Sequence, residues 1–215
     1  MSATEPWFLV AAILVAVYFA RQWAADWKSA RAGKPAPGAL PGASNAPRAS
    51  LLLAAAGAIL ILCGEIAGEY ALGVAQAQSD MTVLFGLYTL AAAFIEELIF
   101  RGFLYYDRGS RAQLIASIVG VSIVFAILHP YAWEYEPAED ARWWEVWRSG
   151  LALKLDAKAI FSTSVVFLRS LWFYFLRFYP GNPQRSLLPC IVAHLTTNVG
   201  VICAKAAQGH LVGLY

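Results

Sequence analysis

The chain has 215 residues, 60% of them hydrophobic and only 14% charged, with a mean hydropathy of +0.56. Soluble domains are about 45–50% apolar and about 25% charged, so the composition excludes a water-soluble globule, a disordered chain and a collagen-like one. Sixteen Lys and Arg stand against fourteen Asp and Glu, and a net charge of +2 argues for no nucleic acid or other polyanionic partner.

A helix needs about 20 mostly apolar residues to cross about 30 Å of hydrocarbon. Six stretches approach that length: 7–20 (extendable to 25), 51–77, 81–100, 113–128, 159–178 and 186–204. The expected fold is all-α, a polytopic transmembrane bundle of about six spans with a polar intramembrane chamber, in a single domain over 1–215. Only Glu5 is charged ahead of the first stretch, which therefore reads as a retained span and not a cleaved signal peptide. The segment 29–50 carries Pro35, Pro37, Pro41 and Pro47 among Ala, Gly and Ser, the composition of a flexible linker. The segment 131–158 holds Trp133, Trp143, Trp144 and Trp147 among mixed charges. It reads as an amphipathic helix lying in the membrane interface, with a solvated loop as the alternative. Lys and Arg concentrate in 27–50, 101–111 and 177–185, which places those loops inside and both termini outside. Cys63, Cys190 and Cys203 show no metal or redox spacing and read as small apolar groups.

Ionisable residues inside apolar spans are costly, and those that occur tend to face the bundle interior and act there. Glu97 and Arg101 are four apart, share a helix face and neutralise each other. Glu96 lies about 140° away from Arg101 on the same wheel and has no partner on its own helix. Ala91, Ala92 and Ala93 before it allow a neighbouring helix to come close. His129 ends the run Phe125-Ala-Ile-Leu-His129, and His194 and Asn198 share a face of the last span. A lone histidine in an apolar helix is more often a structural hydrogen-bonding residue. Three such pieces on three helices are better explained if they meet. Glu65, Glu69 and Arg169 are further charges in spans; the two acids pair with Arg169 or line a water-filled opening, or that end of the bundle is simply wetter. His210 reads as a solvated tail residue.

In this order, on separate membrane helices, EExxxR (Glu96, Glu97, Arg101), FxxxH (Phe125, His129) and HxxxN (His194, Asn198) resemble the CPBP family, also called ABI. That family contains the CAAX prenyl proteases and bacteriocin-processing enzymes. The resemblance implies an intramembrane endopeptidase of glutamic type. Glu96 and His129 would hold and activate a water, His194 and Asn198 would form the oxyanion site, and Glu97 and Arg101 would support them. It also implies a membrane-associated peptide or protein substrate and a bacterial cytoplasmic membrane. No cofactor is expected. Zinc held by Glu96, His129 and His194 is the alternative, although HExxH is absent. No Asp lies in a span, so a two-aspartate site is not available. A proton-coupled transporter is the rival from another class, but the chain shows no repeated halves. One tension remains. Counted from the expected inner ends of their spans, Glu96 and His129 differ in depth by about 9 Å at 1.5 Å per residue.

Overall fold

The computed structural model describes residues 6–136, 138, 145 and 150–215. Six helices make up the described chain: α1 (Pro6–Arg31), α2 (Arg48–Ala71), α3 (Val83–Glu96), α4 (Arg111–Ile127), α5 (Ala157–Phe178) and α6 (Leu188–Gln208). The third runs on into a π-helical segment, Glu97–Phe103. Five of them, counting Val83–Phe103 as one, are long and apolar enough to cross a membrane. At 17 residues, α4 is shorter, spanning about 25 Å. The chain is an all-α membrane bundle, as its composition requires.

Lipid is as apolar as leucine, so helices in a membrane associate through close packing of small residues. This chain is built that way. Ala54, Ala58, Ala93 and Ala193 are fully buried, whereas Trp7, Leu14, Leu52 and Leu60 are among the most exposed side chains. Glycines let large rings seat directly on backbone: a side chain at Gly57 would collide with Trp172, and one at Gly68 with Phe161. These two contacts lock α2 onto α5. The main core joins Trp23, Phe94, Leu98, Phe173, Leu176 and Leu187 from α1, α3 and its extension, α5 and the start of α6.

The Pro-rich stretch between α1 and α2, expected to be a flexible linker, is pinned to the bundle. Leu40 N–H donates to Asp26 Oδ2 at 2.9 Å, Trp23 Nε1 donates to the Pro41 carbonyl at 3.0 Å, and Leu187 N–H to the Gly42 carbonyl at 3.0 Å. Ser186 Oγ adds a bond to the Ser44 carbonyl at 2.6 Å. Proline and glycine remove side-chain packing here, but they leave carbonyls that the α5–α6 connection uses.

The described ends of 131–158 form a two-stranded antiparallel ribbon, β1 (Trp133–Glu136) with β2 (Gly150–Leu153), where an interfacial helix was one expectation. The reason is visible in Trp-Glu-Tyr-Glu, whose apolar residues alternate with period two. Trp143, Trp144 and Trp147 lie outside the described residues.

The tail beyond α6 is not loose. Met81 N–H donates to the His210 carbonyl, Val212 N–H to the Met81 carbonyl, and Leu84 N–H to the Leu214 carbonyl. His210 Nδ1 lies 2.8 Å from Asp80. The tail thereby satisfies amides at the start of α3 that a helix leaves without partners.

Candidate active site

Helices α3 and α6 pack antiparallel, and the register is fixed by polar contacts. Glu97 Oε1 lies 2.8 Å from His194 Nδ1, and Asn198 Nδ2 donates to the Thr89 carbonyl at 2.9 Å. Gly86 sits beside Ile202 one turn further on. The α3 extension is also antiparallel to α4: Tyr106 N–H bonds Ser117 Oγ, Phe100 packs edge-on against Phe125 at 4.9 Å, and Arg101 lies level with Ser122 through Ser170. Carried one turn on, this register sets Glu96 opposite His129. The first turns of α4 reach past the end of the α3 extension, so the expected depth difference disappears.

Each carboxylate of the Glu-Glu pair has a different fate. Glu97 is completely buried. Its Oε1 accepts from Arg101 Nη1 at 3.1 Å and from His194 Nδ1 at 2.8 Å. Arg101 is equally buried, with its guanidinium carbon 4.3–5.9 Å from the ring centres of Phe125, Phe173, Tyr174 and Phe100. Its Nη2 donates to Ser170 Oγ at 2.7 Å, and Ser170 Oγ bonds Ser122 Oγ at 2.9 Å. Glu96, in contrast, has a buried Oε2 with no hydrogen-bond partner among the described residues. His194 Nε2 lies 3.8 Å from that oxygen. With Nδ1–H given to Glu97, the His194 ring turns its other nitrogen towards Glu96. Phe173 stacks on that ring at 5.0 Å and holds its plane.

His129 follows α4 and donates from Nδ1 to the Phe125 carbonyl at 2.7 Å, which leaves Nε2 free. Burial pushes its pKa below the usual imidazole range, while the nearby Glu96 charge opposes the shift. Both imidazoles pack on the Phe125 ring, His129 at 4.6 Å and His194 at 6.4 Å. The structure thus gathers Glu96, Glu97, Arg101, His129 and His194. Asn198 lies one turn along α6 from His194, and one of its two amide hydrogens is committed to Thr89.

Two features escaped the sequence. The residue pattern fits a uniform 3.6-residue period through Arg101, whereas the backbone widens at Glu97–Phe103, with Leu104 N–H reaching back to the Ile99 carbonyl. The Tyr174 hydroxyl sits between the Phe100 and Leu104 carbonyls, at 2.6 and 2.8 Å, where the widened turn exposes acceptors. Single-turn π-segments of this kind occur often at functional sites. The second is Phe125, the first letter of FxxxH, whose ring is the wall shared by both histidines. No group of three His, Cys, Asp or Glu side chains among the described residues is arranged to hold a metal ion.

A family model described as type II CAAX prenyl endopeptidase Rce1-like matches residues 78–200, which include every residue just named. The chain belongs to this family, within the CPBP group. No curated protein matches it, and no solved structure does. Its family is one of CAAX-type intramembrane endopeptidases, and with five long apolar helices it is an integral membrane protein.

Proposed function

We propose that this chain hydrolyses a peptide bond in a membrane-associated protein or peptide by means of a water activated by Glu96. Glu96 takes a proton from the water, and the oxygen attacks the scissile carbonyl carbon. The second N–H of Asn198 faces the developing oxyanion, and His194, whose Nδ1–H is given to Glu97, joins it as a donor once Nε2 is protonated. His129 orients the water through Nε2 and shares in passing the proton to the departing amine as the C–N bond breaks. Glu97 and Arg101 act through His194, fixing its tautomer and tilt. The substrate we favour is a protein tail or processed peptide, in a bacterial cytoplasmic membrane.

The observation that carries this reading is the position of His194, between Glu97, whose Oε1 accepts from both His194 Nδ1 and Arg101 Nη1, and Glu96, which has no hydrogen bond among the described residues. Such a split gives one acid to structure and leaves the other for chemistry. General-base catalysis contributes roughly 10²–10⁴-fold. Glu96→Gln is therefore expected to lower cleavage by about that factor, with thermal unfolding in detergent unchanged, since Glu96 makes no hydrogen bond to lose. Full activity in that variant would refute the mechanism. Comparative proteomics of cells carrying the native and Glu96→Gln forms identifies the substrate through termini that go unprocessed. Activity that survives chelation, with no zinc by elemental analysis, is the expected outcome for metal-free chemistry; inactivation restored by zinc would assign Glu96 and the two histidines to a metal instead.

A further inference from the structure

The hydrogen-bond ladder of the third helix changes step inside the candidate site. In a regular helix Leu104 N–H would pair with the Phe100 carbonyl, four residues back. Here it reaches to Ile99, at 2.9 Å, and Tyr105 N–H turns to Phe103, at 3.1 Å. Neither amide that could close a helical turn on Phe100 does so, and its carbonyl is left without a backbone partner. Tyr174 of α5 takes that place. Its hydroxyl lies 2.6 Å from the Phe100 carbonyl and 2.8 Å from that of Leu104. A phenol carries one hydrogen, which these two oxygens share. The Tyr174 side chain is fully buried, and a buried carbonyl without a partner is costly.

The widened turn reconciles two packings. Before it, α3 is fixed on α6 by Asn198 at the Thr89 carbonyl and by Glu97 against His194. After it, Gly102 presses on Pro41 and Leu187, where an added Cβ would lie 3.3 Å from the one and 3.6 Å from the other. A regular helix turns by about 100° per residue. Taking the extra residue out of the turn without shortening the chain would swing one side against the other by about that angle. Either Gly102 would leave its slot to a bulkier neighbour, or Glu96 and Glu97 would rotate away from His194. Tyr174 is tied to Arg101 as well. Its ring lies 5.1 Å from the guanidinium carbon, and Ser170, one turn back on α5, accepts from Arg101 Nη2.

We propose that Tyr174 is a positioning residue: its hydroxyl holds the turn after Glu96 open, and so aims Glu96 at the water while Glu97 stays on His194. This rests on the peptidase reading above and adds to it a residue outside the Glu, His and Asn motifs. Without the hydroxyl, Leu104 N–H moves to the free Phe100 carbonyl, the turn tightens and Glu96 is displaced. A misplacement of about 1 Å at a reacting group costs up to roughly 10²-fold.

Tyr174→Phe is the test, read in two ways. First, kcat is expected to fall by between about tenfold and a hundredfold, with KM unchanged, since Tyr174 does not meet the substrate. Second, Phe100–Arg101 is the one Phe-Arg peptide bond in the chain. Labelling phenylalanine with carbonyl ¹³C and arginine with ¹⁵N therefore gives a single NMR signal for the Phe100 carbonyl, which is expected to move as its partner changes from phenol to amide. Tyr179→Phe is the control. It removes another phenol of α5, bonded to Ser50 away from the site, and should cost stability with kcat intact. Placing p-aminophenylalanine at position 174 returns a donor and should restore most of the lost kcat; it carries the test alone if Tyr174→Phe does not survive in detergent. Native kcat and an unmoved signal in Tyr174→Phe, an equal fall of kcat in Tyr179→Phe, or a folded but inactive aminophenylalanine protein would each overturn the positioning role and leave the peptidase standing. A native protein that cleaves no peptide would overturn the peptidase reading itself, and the carbonyl signal would still decide whether Tyr174 holds the turn.

Discussion

Two clusters of charge sit inside this bundle, and they are built differently. Around Arg101, both members of the ion pair are fully buried, four aromatic rings enclose the guanidinium, and Ser170 of α5, itself bonded to Ser122 of α4, accepts from its Nη2. Around Arg169, the paired side chains are 12% and 14% exposed and face a cavity. The first is a sealed clamp, joining the α3 extension to α4, α5 and α6. The second is a lining. A site that must hold one imidazole in one orientation needs the former.

Breaking the clamp should have the largest effect on stability. Arg101→Met leaves Glu97 buried with no cation, and stranding one member of a buried pair costs about 3–5 kcal/mol. The expected outcome is a marked loss of thermal stability in detergent, with activity lost too because His194 no longer has a fixed partner. A milder cut is Ser170→Ala. It removes the acceptor for Arg101 Nη2 and the bond to Ser122, and buried polar groups left unpaired cost roughly 1–3 kcal/mol each. Here kcat should fall while KM is unchanged, since the clamp orients His194 and does not touch the substrate. An equal loss of both would mean that the serines merely hold the fold.

How far the sequence shows these clusters depends on the kind of contact. The Glu97–Arg101 pair is local, four residues apart on one helix, and is readable from spacing alone. So is the isolation of Glu96. The meeting of Glu96 with His194 and His129 is long-range, and only the improbability of three separate polar groups in lipid pointed to it. The widened backbone after Glu97 leaves no mark in residue pattern, because Tyr174 and Arg101's ring cage, from other helices, supply what stabilises it. The pinning of 29–50 is hidden from the sequence for the same reason: its partners, Leu187 and Ser186, lie some 140 residues away. Of the two acids expected to pair with Arg169, Glu65 does so, Glu69 pairs instead with Lys158, and both line a cavity.

The lining should tolerate what the clamp does not. Replacing Glu65 and Arg169 together by Met and Leu exchanges an ion pair for apolar groups, an exchange often neutral or stabilising even in buried positions. Stability is expected to change by less than about 1 kcal/mol, whereas the corresponding double change at Glu97 and Arg101 also strands His194 Nδ1. Salt gives the smallest difference and the least invasive test. At 1 M the screening length is about 3 Å, so pairs facing a wet cavity weaken and a sealed pair does not. Melting curves in low and high salt should then shift for the native protein, and the shift should shrink in the Glu65/Arg169 double variant, where the Glu69–Lys158 pair still lines the cavity. A salt response left at its full size there would mean that ions do not reach the Glu65–Arg169 pair, and the distinction between a sealed clamp and a wet lining would fail.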